Sequence, residues 1–423
     1  MNWLLPCIAL GLAACTHHDD ESVVEVVVRI VDPTGQPIPR ADVWTMPRVA
    51  WTRRHWIPSD LRPYWGNPLE LLRRLGSKRS ADEQGRVRLP RDTIAAGDSG
   101  GFAGVAMLPA TGDASDVWVL DDWRWTIFVR DAVGKPVAGV PVACAPDPEP
   151  TDGFEGLPLG LTDARGCLVV RAVGAVPVAD YSVREHEGPD PAPTEFVWLE
   201  VDGMYLERHA HKVPYRERQS ASVTLTMPRA TKVELRLPPQ LGSGAAAVDM
   251  RRFRKDVWDA AACWSDGGKH YGLVGHGSGN FQTAIEVAMA GSGIRAEAHV
   301  PSLPPDEVFP IQLALDENDI VVRAKLRDSA NRVVRSAWIH VLPASDALRT
   351  WFAATDGDGV ICLVLRTEKV AVDAGHVEDR QYELLVDAAP DPGWLGAGAK
   401  LHLSGLVRGA HIDAGVITLS RRQ

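Results

Sequence analysis

The chain has 423 residues, a length that predicts about two to four domains of ordinary size. Hydrophobic residues make up 45% and charged residues 24% of it, so the composition excludes an intrinsically disordered chain and a polytopic membrane protein. The net charge of −10 disfavours a dedicated nucleic-acid-binding protein, because binding to phosphates needs dense Lys and Arg. The 38 glycines and 31 prolines favour many short strands joined by turns, and therefore an all-β protein.

The N-terminus carries a short apolar segment. Residues 3–14 are apolar, which is too short for a membrane-spanning helix of about 20 residues and is typical of the hydrophobic region of a signal peptide. The segment ends in Leu12-Ala13-Ala14-Cys15, which resembles the lipobox of bacterial lipoproteins. The resemblance implies that residues 1–14 are a signal peptide, that Cys15 is lipidated and that residues 15–21 form a polar tether. The alternative is an ordinary cysteine after a cleaved secretory signal, and both interpretations predict export.

One pattern, a strand followed by an Asp-x-x-Gly turn and a second strand, occurs three times. The three turns are Asp32-Pro33-Thr34-Gly35, Asp131-Ala132-Val133-Gly134 and Asp328-Ser329-Ala330-Asn331. The first two copies keep a constant offset of 99 residues without gaps. An Asp at the first position bonds the turn backbone, and the fourth position needs a positive φ, which Gly and then Asn tolerate best. We therefore predict three copies of one β-unit.

Each copy continues with a second turn and a further strand. These turns are Asp82-Glu83-Gln84-Gly85, Asp163-Ala164-Arg165-Gly166 and Asp356-Gly357-Asp358-Gly359. The two turns together resemble those of the carboxypeptidase regulatory-like domain, a prealbumin-like or immunoglobulin-like β-sandwich of about 80–100 residues. The resemblance implies the fold of the three copies and leaves the function open, because such a fold serves in many unrelated proteins.

The predicted architecture is a series of tandem immunoglobulin-like or prealbumin-like β-sandwiches, with a short helical insertion in the first. The copies place sandwich 1 at residues 22–121, sandwich 2 at 122–228 and sandwich 4 at 318–423. Residues 230–317 lack the turn sequences but begin and end with strand-like runs, so we predict a divergent β-domain 3 there. Four sandwiches in series, tethered at one end, predict a rod or stalk.

The connection between the two turns is 18 residues longer in the first copy than in the second. This insertion, residues 45–80, contains eight basic and two acidic residues, and its candidate ligand-binding residues are Trp51, Arg53, Arg54, Trp56, Tyr64 and Trp65. Aromatic rings stack on sugars while Arg pairs with carboxylate or phosphate, so one interpretation is a surface for anionic glycans or lipid headgroups. The other is a lid whose tryptophans pack on the sandwich, with a short amphipathic helix after Pro68.

Four cysteines remain after Cys7 and Cys15 are assigned to the signal and the anchor. Cys144 and Cys167 lie on two predicted strands of one repeat and are the candidate disulfide, since export permits disulfides; two buried free thiols are the alternative. None of the four has the C-x-x-C spacing of a zinc or redox site. We expect no metal and no cofactor.

These observations favour a non-catalytic cell-envelope lipoprotein, a β-sandwich stalk for structure, adhesion or ligand presentation. The alternative is a glycan-binding accessory module that uses the insertion, and a cryptic hydrolase ranks third. Thr16 stands where an acidic residue would resemble an inner-membrane retention signal, so the resemblance implies the outer membrane. The expected partners are the membrane, through the lipid anchor, and an envelope polysaccharide or another envelope protein, but no nucleic acid.

Overall fold

A computed structural model gives the structure of residues 25–48, 51, 61–110, 117–145, 157–173, 196–203, 210–214, 220–241, 248–252, 260–261, 263–266, 269–276, 282–289, 295–315, 317, 319–335, 337–343, 351–355, 358–365, 378–389, 394, 396–407 and 409–421. Over these residues the chain is all-β, with one α-helix, and its sheets follow one another in sequence order. The predicted fold class, tandem β-sandwiches with a short helical insertion in the first, is confirmed. We call the four successive groups of strands units 1 to 4.

Unit 1 contains the helix and seven strands: β1 (Glu25–Val31), β2 (Asp42–Pro47), α1 (Pro68–Leu75), β3 (Ser77–Ser80), β4 (Arg86–Pro90), β5 (Thr93–Ser99), β6 (Phe102–Leu108) and β7 (Val117–Val119). One sheet has the order β4-β1-β7 and the other β3-β2-β5-β6. β1 pairs antiparallel with β4 and parallel with β7. The first and last strands of the unit are therefore parallel neighbours.

Unit 2 repeats this arrangement strand for strand. It comprises β8 (Arg124–Arg130), β9 (Pro141–Ala145), β10 (Leu157–Leu161), β11 (Cys167–Arg171), β12 (Phe196–Val201), β13 (His211–Pro214) and β14 (Ala221–Thr226). Its sheets have the orders β11-β8-β14 and β10-β9-β12-β13, and β8 and β14 are parallel. The internal repeat of the sequence is thus a repeat of the strand topology.

Unit 3 has the same pairing scheme. It comprises β15 (Ala230–Arg236), β16 (Val248–Arg252), β17 (Ala260–Ala261), β18 (Trp264–Asp266), β19 (Lys269–Gly275), β20 (Gln282–Met289), β21 (Arg295–Pro301) and β22 (Val308–Gln312). β15 is antiparallel to β19 and parallel to β22, and the second sheet has the order β17-β16-β20-β21. The segment expected to be a divergent β-domain therefore shares the topology of units 1 and 2, with β18 added at one edge.

Unit 4 joins its two sheets into one. It comprises β23 (Ile320–Asp328), β24 (Trp338–Pro343), β25 (Trp351–Ala354), β26 (Val360–Leu365), β27 (Glu378–Ala388), β28 (Ala397–Leu406) and β29 (His411–Arg421). β23 again pairs antiparallel with β26 and parallel with the last strand, β29. β28 and β29 are long and pair at their ends, which gives a seven-stranded sheet in the order β25-β24-β27-β28-β29-β23-β26.

The Asp-x-x-Gly turns have the geometry that the sequence predicts. The Asp32 carboxylate accepts hydrogen bonds from the backbone N–H of Thr34 (2.8 Å) and Gln36 (2.9 Å), and Gly35 has a φ of 83°. In unit 4, Asn331 occupies the equivalent position with a φ of 64°. Asn is the residue that best tolerates this left-handed conformation after Gly, which explains the substitution in the third copy.

The apolar cores continue from one unit into the next. Trp264 and Leu273 of unit 3 belong to the same cluster of buried side chains as the core of unit 2. Val321, Cys362 and Val364 of unit 4 belong to the core cluster of unit 3 in the same way. Burial of apolar surface across a junction stabilises the contact between neighbouring units, so these units are packed on each other and are not separate modules on linkers.

The predicted disulfide between Cys144 and Cys167 is wrong, because both are free thiols on different sheets. Cys144 on β9 is fully buried in the core, where desolvation raises the pKa of its thiol to about 12. On β11 the side chains of Leu168 and Val170 are buried, so the alternation of a strand points Cys167 away from that core. The two sulfur atoms therefore lie on different faces and cannot meet.

Candidate functional site

The insertion of unit 1 is built around α1. Pro68 occupies the first helical turn, and the Asn67 side chain caps the helix by accepting a hydrogen bond from the Glu70 backbone N–H at 3.3 Å. Leu69, Leu71 and Leu72 are buried against the sandwich. Gly76 ends the helix, and its N–H donates to the Leu72 carbonyl at 2.7 Å. The amphipathic helix predicted after Pro68 is confirmed.

Trp51 is a core residue. Its side chain is 7% exposed and belongs to a buried cluster with Met46, Leu61 and the helix leucines. A ring that stacks on a ligand must present a face to solvent, and the structure does not present the Trp51 ring in that way. The structure follows the alternative interpretation of the insertion here, a lid whose tryptophan packs on the sandwich. Arg53, Arg54 and Trp56 lie outside the described residues.

The two remaining aromatic candidates pack against this cluster and are half-buried. The Arg74 guanidinium lies 4.0 Å from the centroid of the Tyr64 ring, a cation–π contact that covers the ring. Burial raises the pKa of the Tyr64 hydroxyl, and the Arg74 charge opposes that rise. Tyr64 and Trp65 are therefore already engaged by the protein itself.

The insertion also binds unit 2. The Gly66 N–H donates to the Pro158 carbonyl at 2.6 Å, and the Asn67 side-chain amide donates to the Leu159 carbonyl at 3.0 Å. A Cβ at position 66 would lie 2.8 Å from the Leu157 Cβ, so only glycine allows this close approach. The contacts tie the insertion to β10, an edge strand of unit 2.

A cluster of charges lies beside this contact. Asp98, at the end of β5, forms ion pairs with Arg73 of α1 and with Arg171 of β11, the latter at 3.0 Å. The Asp98 side chain is only 10% exposed, so its charge is screened less than that of a surface pair. This carboxylate joins the helix, unit 1 and unit 2, and we call Gly66, Asn67 and Asp98 the clamp.

A cleft of about 620 Å³ opens next to the clamp, between units 1 and 2. Its lining includes Arg73, Arg124 and Arg171 together with Glu70 and Asp98, so its ionisable side chains carry one more positive than negative charge. Clefts between domains are common places for ligands to bind. Sequence reasoning missed this cleft, because its walls come from strands of two different repeats.

The described residues contain no group of three or more His, Cys, Asp or Glu side chains that could hold a metal ion. Within the same part of the chain, no helix is long and apolar enough to cross a membrane. The buried titratable groups instead include two histidines of unit 3, His270 and His276, whose pKa values are lowered chiefly by desolvation. Arg229 lowers the pKa of His276 further.

We expect unit 3 to lose stability in acid because of His270. Neither ring nitrogen of His270 has a hydrogen-bond partner among the described residues. No hydrogen bond from these residues therefore stabilises the positive charge that the protonated ring would carry. Its folded pKa lies below the unfolded value of about 6.5. On acidification the unfolded chain binds the proton first, so the stability present above about pH 6.5 falls as the pH drops towards the folded pKa.

Thermal unfolding followed between pH 8 and 5 tests this expectation. His270→Phe should flatten the pH dependence of the midpoint, whereas His411→Gln, at an exposed position, should leave it unchanged. If the midpoint of the His270→Phe chain falls with pH as steeply as that of the unchanged chain, this histidine does not cause the loss of stability in acid.

Comparisons with known proteins give no family. No family model matches the chain, and no curated protein matches it. Among solved structures, the Bacillus anthracis TIE protein is 10% identical, with 96% of this chain and 76% of that chain covered and a TM-score of 0.17. The major pilin subunit BcpA of Bacillus cereus is 11% identical, with 71% of this chain and 99% of that chain covered and a TM-score of 0.16. A streptococcal ancillary pilin is 10% identical, with 68% of this chain and 98% of that chain covered and a TM-score of 0.19. At such TM-scores the likeness carries no argument, and the fold rests on the strand pairing described above.

Proposed function

We propose that the chain is a non-catalytic protein of the cell envelope, exported and held at the outer membrane through a lipidated Cys15. In this proposal its β-sandwich units act as a stalk for structure, adhesion or ligand presentation. The observation that carries it is the continuity of the cores from unit 2 through unit 4, together with the clamp between units 1 and 2. Packed junctions transmit position and force along a chain of domains, which flexible linkers would not do.

Changing Cys15→Ser should move the protein from the membrane fraction to the soluble fraction. The change removes the thiol that would carry the diacylglyceryl group, and multiple acyl chains are what make an anchor stable. Fractions should be washed with high salt before they are compared, because salt screens any electrostatic contact of the protein with the membrane. A Cys15→Ser chain that stays with salt-washed membranes would refute the lipoprotein proposal; Cys7→Ser is the matched control.

Binding of an anionic glycan is the second candidate function. It is favoured by the Arg-lined cleft beside α1, in which the exposed Arg124 makes no ion pair with another described residue. Arg53, Arg54 and Trp56, which lie outside the described residues, stay candidates for contact with such a ligand, as do the half-buried Tyr64 and Trp65. A pull-down on envelope polysaccharide that compares Trp56→Ala with Trp51→Ala tests this candidate.

A further inference from the structure

The outward face of the sheet β4-β1-β7 has an unusual surface. Along β1 the side chains of Val28 and Ile30 are buried in the core, whereas Val27 and Arg29 point outwards. The neighbouring strands add further outward side chains, namely Arg86 and Arg88 from β4 and Val117 and Val119 from β7. We call these six residues, Val27, Arg29, Arg86, Arg88, Val117 and Val119, the outer face.

The register brings these six side chains side by side. Val27 lies directly opposite Arg88, and Arg29 lies opposite Arg86 on one side and Val117 on the other. The three valines are 49%, 45% and 46% exposed, in chain order. The outer face therefore mixes the two kinds of side chain: Val117 and Val119 follow each other along β7, Arg29 lies beside Val117, and Val27 lies between Arg29 and Arg88.

The arginines of the outer face repel each other. Two like charges directly opposite each other in a sheet destabilise it, and Arg29 and Arg86 occupy such a pair of positions. Among the described residues, none of the three arginines forms an ion pair. The nearest acidic side chain on the same strand, Glu25, pairs with Arg79 at 2.6 Å. Among the described residues, no ion pair offsets the positive charge of this face, in a protein of net charge −10.

We propose that the outer face binds the anionic headgroups of the membrane in which Cys15 is anchored. This inference rests on the proposed lipidation. β1 begins at Glu25, ten residues after Cys15, so a fully extended tether spans at most about 35 Å and keeps the sheet close to the lipid surface. Arginine binds phosphate groups through paired hydrogen bonds, and apolar side chains beside it insert at the headgroup boundary.

Vesicle binding of the unlipidated Cys15→Ser chain tests the proposal. We expect this chain to bind vesicles of equal parts phosphatidylglycerol and phosphatidylcholine, to release them in high salt and not to bind pure phosphatidylcholine. Replacing Arg29, Arg86 and Arg88 together by Gln should weaken binding about a hundredfold, since each basic residue near an anionic surface contributes about 1 kcal/mol. Arg29→Gln alone should also raise the unfolding midpoint slightly, because it removes the repulsion with Arg86. A midpoint measured at or above that of the unchanged chain would confirm that the Arg29→Gln chain folds.

The matched control replaces three exposed arginines that lie elsewhere in the protein. These are Arg165, Arg323 and Arg335, and each is changed to Gln. It changes the net charge equally and should leave vesicle binding unchanged. Equal binding by the two triple variants, or equal binding to both kinds of vesicle, would overturn the proposal.

The acidic segment Asp19-Asp20-Glu21, just before β1, is the competing occupant of the outer face. The test compares the chain that keeps these residues with one in which they are changed to Asn, Asn and Gln. If only the changed chain binds the anionic vesicles, the acidic segment occupies the outer face and the membrane proposal is overturned. These measurements use unlipidated protein, so their outcome is separate from that of the Cys15→Ser fractionation.

Discussion

Replacing Trp264 by alanine should destabilise the protein by about 3–5 kcal/mol and uncouple the unfolding of units 2 and 3. Trp264 is 1% exposed and, although it lies on β18 of unit 3, it packs into the core cluster of unit 2. Removing the indole opens a cavity at the junction, and cavities in a close-packed interior cost energy beyond the lost burial. The junction depends on this one side chain more than on any ion pair at the surface.

Lys232 adds a second cost to the same substitution. Its ammonium lies 5.8 Å from the centroid of the Trp264 ring and 4.4 Å from that of Tyr271, and it donates a hydrogen bond to the Gly139 carbonyl of unit 2 at 3.3 Å. Burial lowers the pKa of Lys232 and so disfavours its charged form, whereas the two rings and the Gly139 carbonyl stabilise the charge. Loss of one ring leaves the partly desolvated charge with fewer favourable contacts.

Differential scanning calorimetry measures both effects. In the unchanged protein, units 2 and 3 should unfold in one transition, and the Trp264→Ala chain should show two. Trp118→Ala is the matched control, because Trp118 is a buried tryptophan confined to the core of unit 1; it should lower the stability of unit 1 and leave the transition of units 2 and 3 single. Separate transitions for units 2 and 3 in the unchanged protein would show that the shared core does not couple them.

The turns were the part of the fold that local sequence could predict. Asp32 and Gly35 act within four residues of each other, so their chemistry is visible in the sequence, and the same holds for Asp131 and Gly134. The parallel pairing of β1 with β7 joins residues almost 90 positions apart, such as Arg29 and Val117. No local pattern encodes that pairing, which is why unit 3, without the turn sequences, was expected only as a divergent β-domain.

The insertion was harder to interpret because tryptophan fits both a core and a ligand surface. Composition cannot tell which way the indole of Trp51 points, and its burial depends on leucines of α1 that follow almost twenty residues later. The clamp could not be predicted for the same reason, because it depends on residues far apart in the sequence. Gly66 and Asn67 donate hydrogen bonds to the carbonyls of Pro158 and Leu159 in another unit. For the cysteines, however, a signal was present: Leu168 and Val170 alternate with Cys167, and this parity indicates that the thiol points away from the core.

Replacing Trp51 by alanine should likewise cost about 3–5 kcal/mol of stability, concentrated in unit 1, without a direct effect on any ligand. The side chain fills the space between Met46, Leu61 and the buried face of α1, so its loss should loosen the helix and, through it, the clamp to unit 2. Thermal denaturation of the Trp51→Ala chain measures the loss. Trp51→Phe, which keeps most of the volume, should recover most of it.

The same pair of tryptophans separates the two interpretations of the insertion. If the insertion is only a lid, Trp51→Ala lowers stability and Trp56→Ala leaves polysaccharide binding unchanged. If the insertion also binds an anionic glycan, Trp56→Ala weakens that binding without lowering the stability of the protein. Trp51→Ala then weakens the binding only near the temperature at which unit 1 unfolds. A Trp51→Ala chain of unchanged stability that no longer binds polysaccharide would contradict the burial of this side chain and restore Trp51 as a ligand-binding residue.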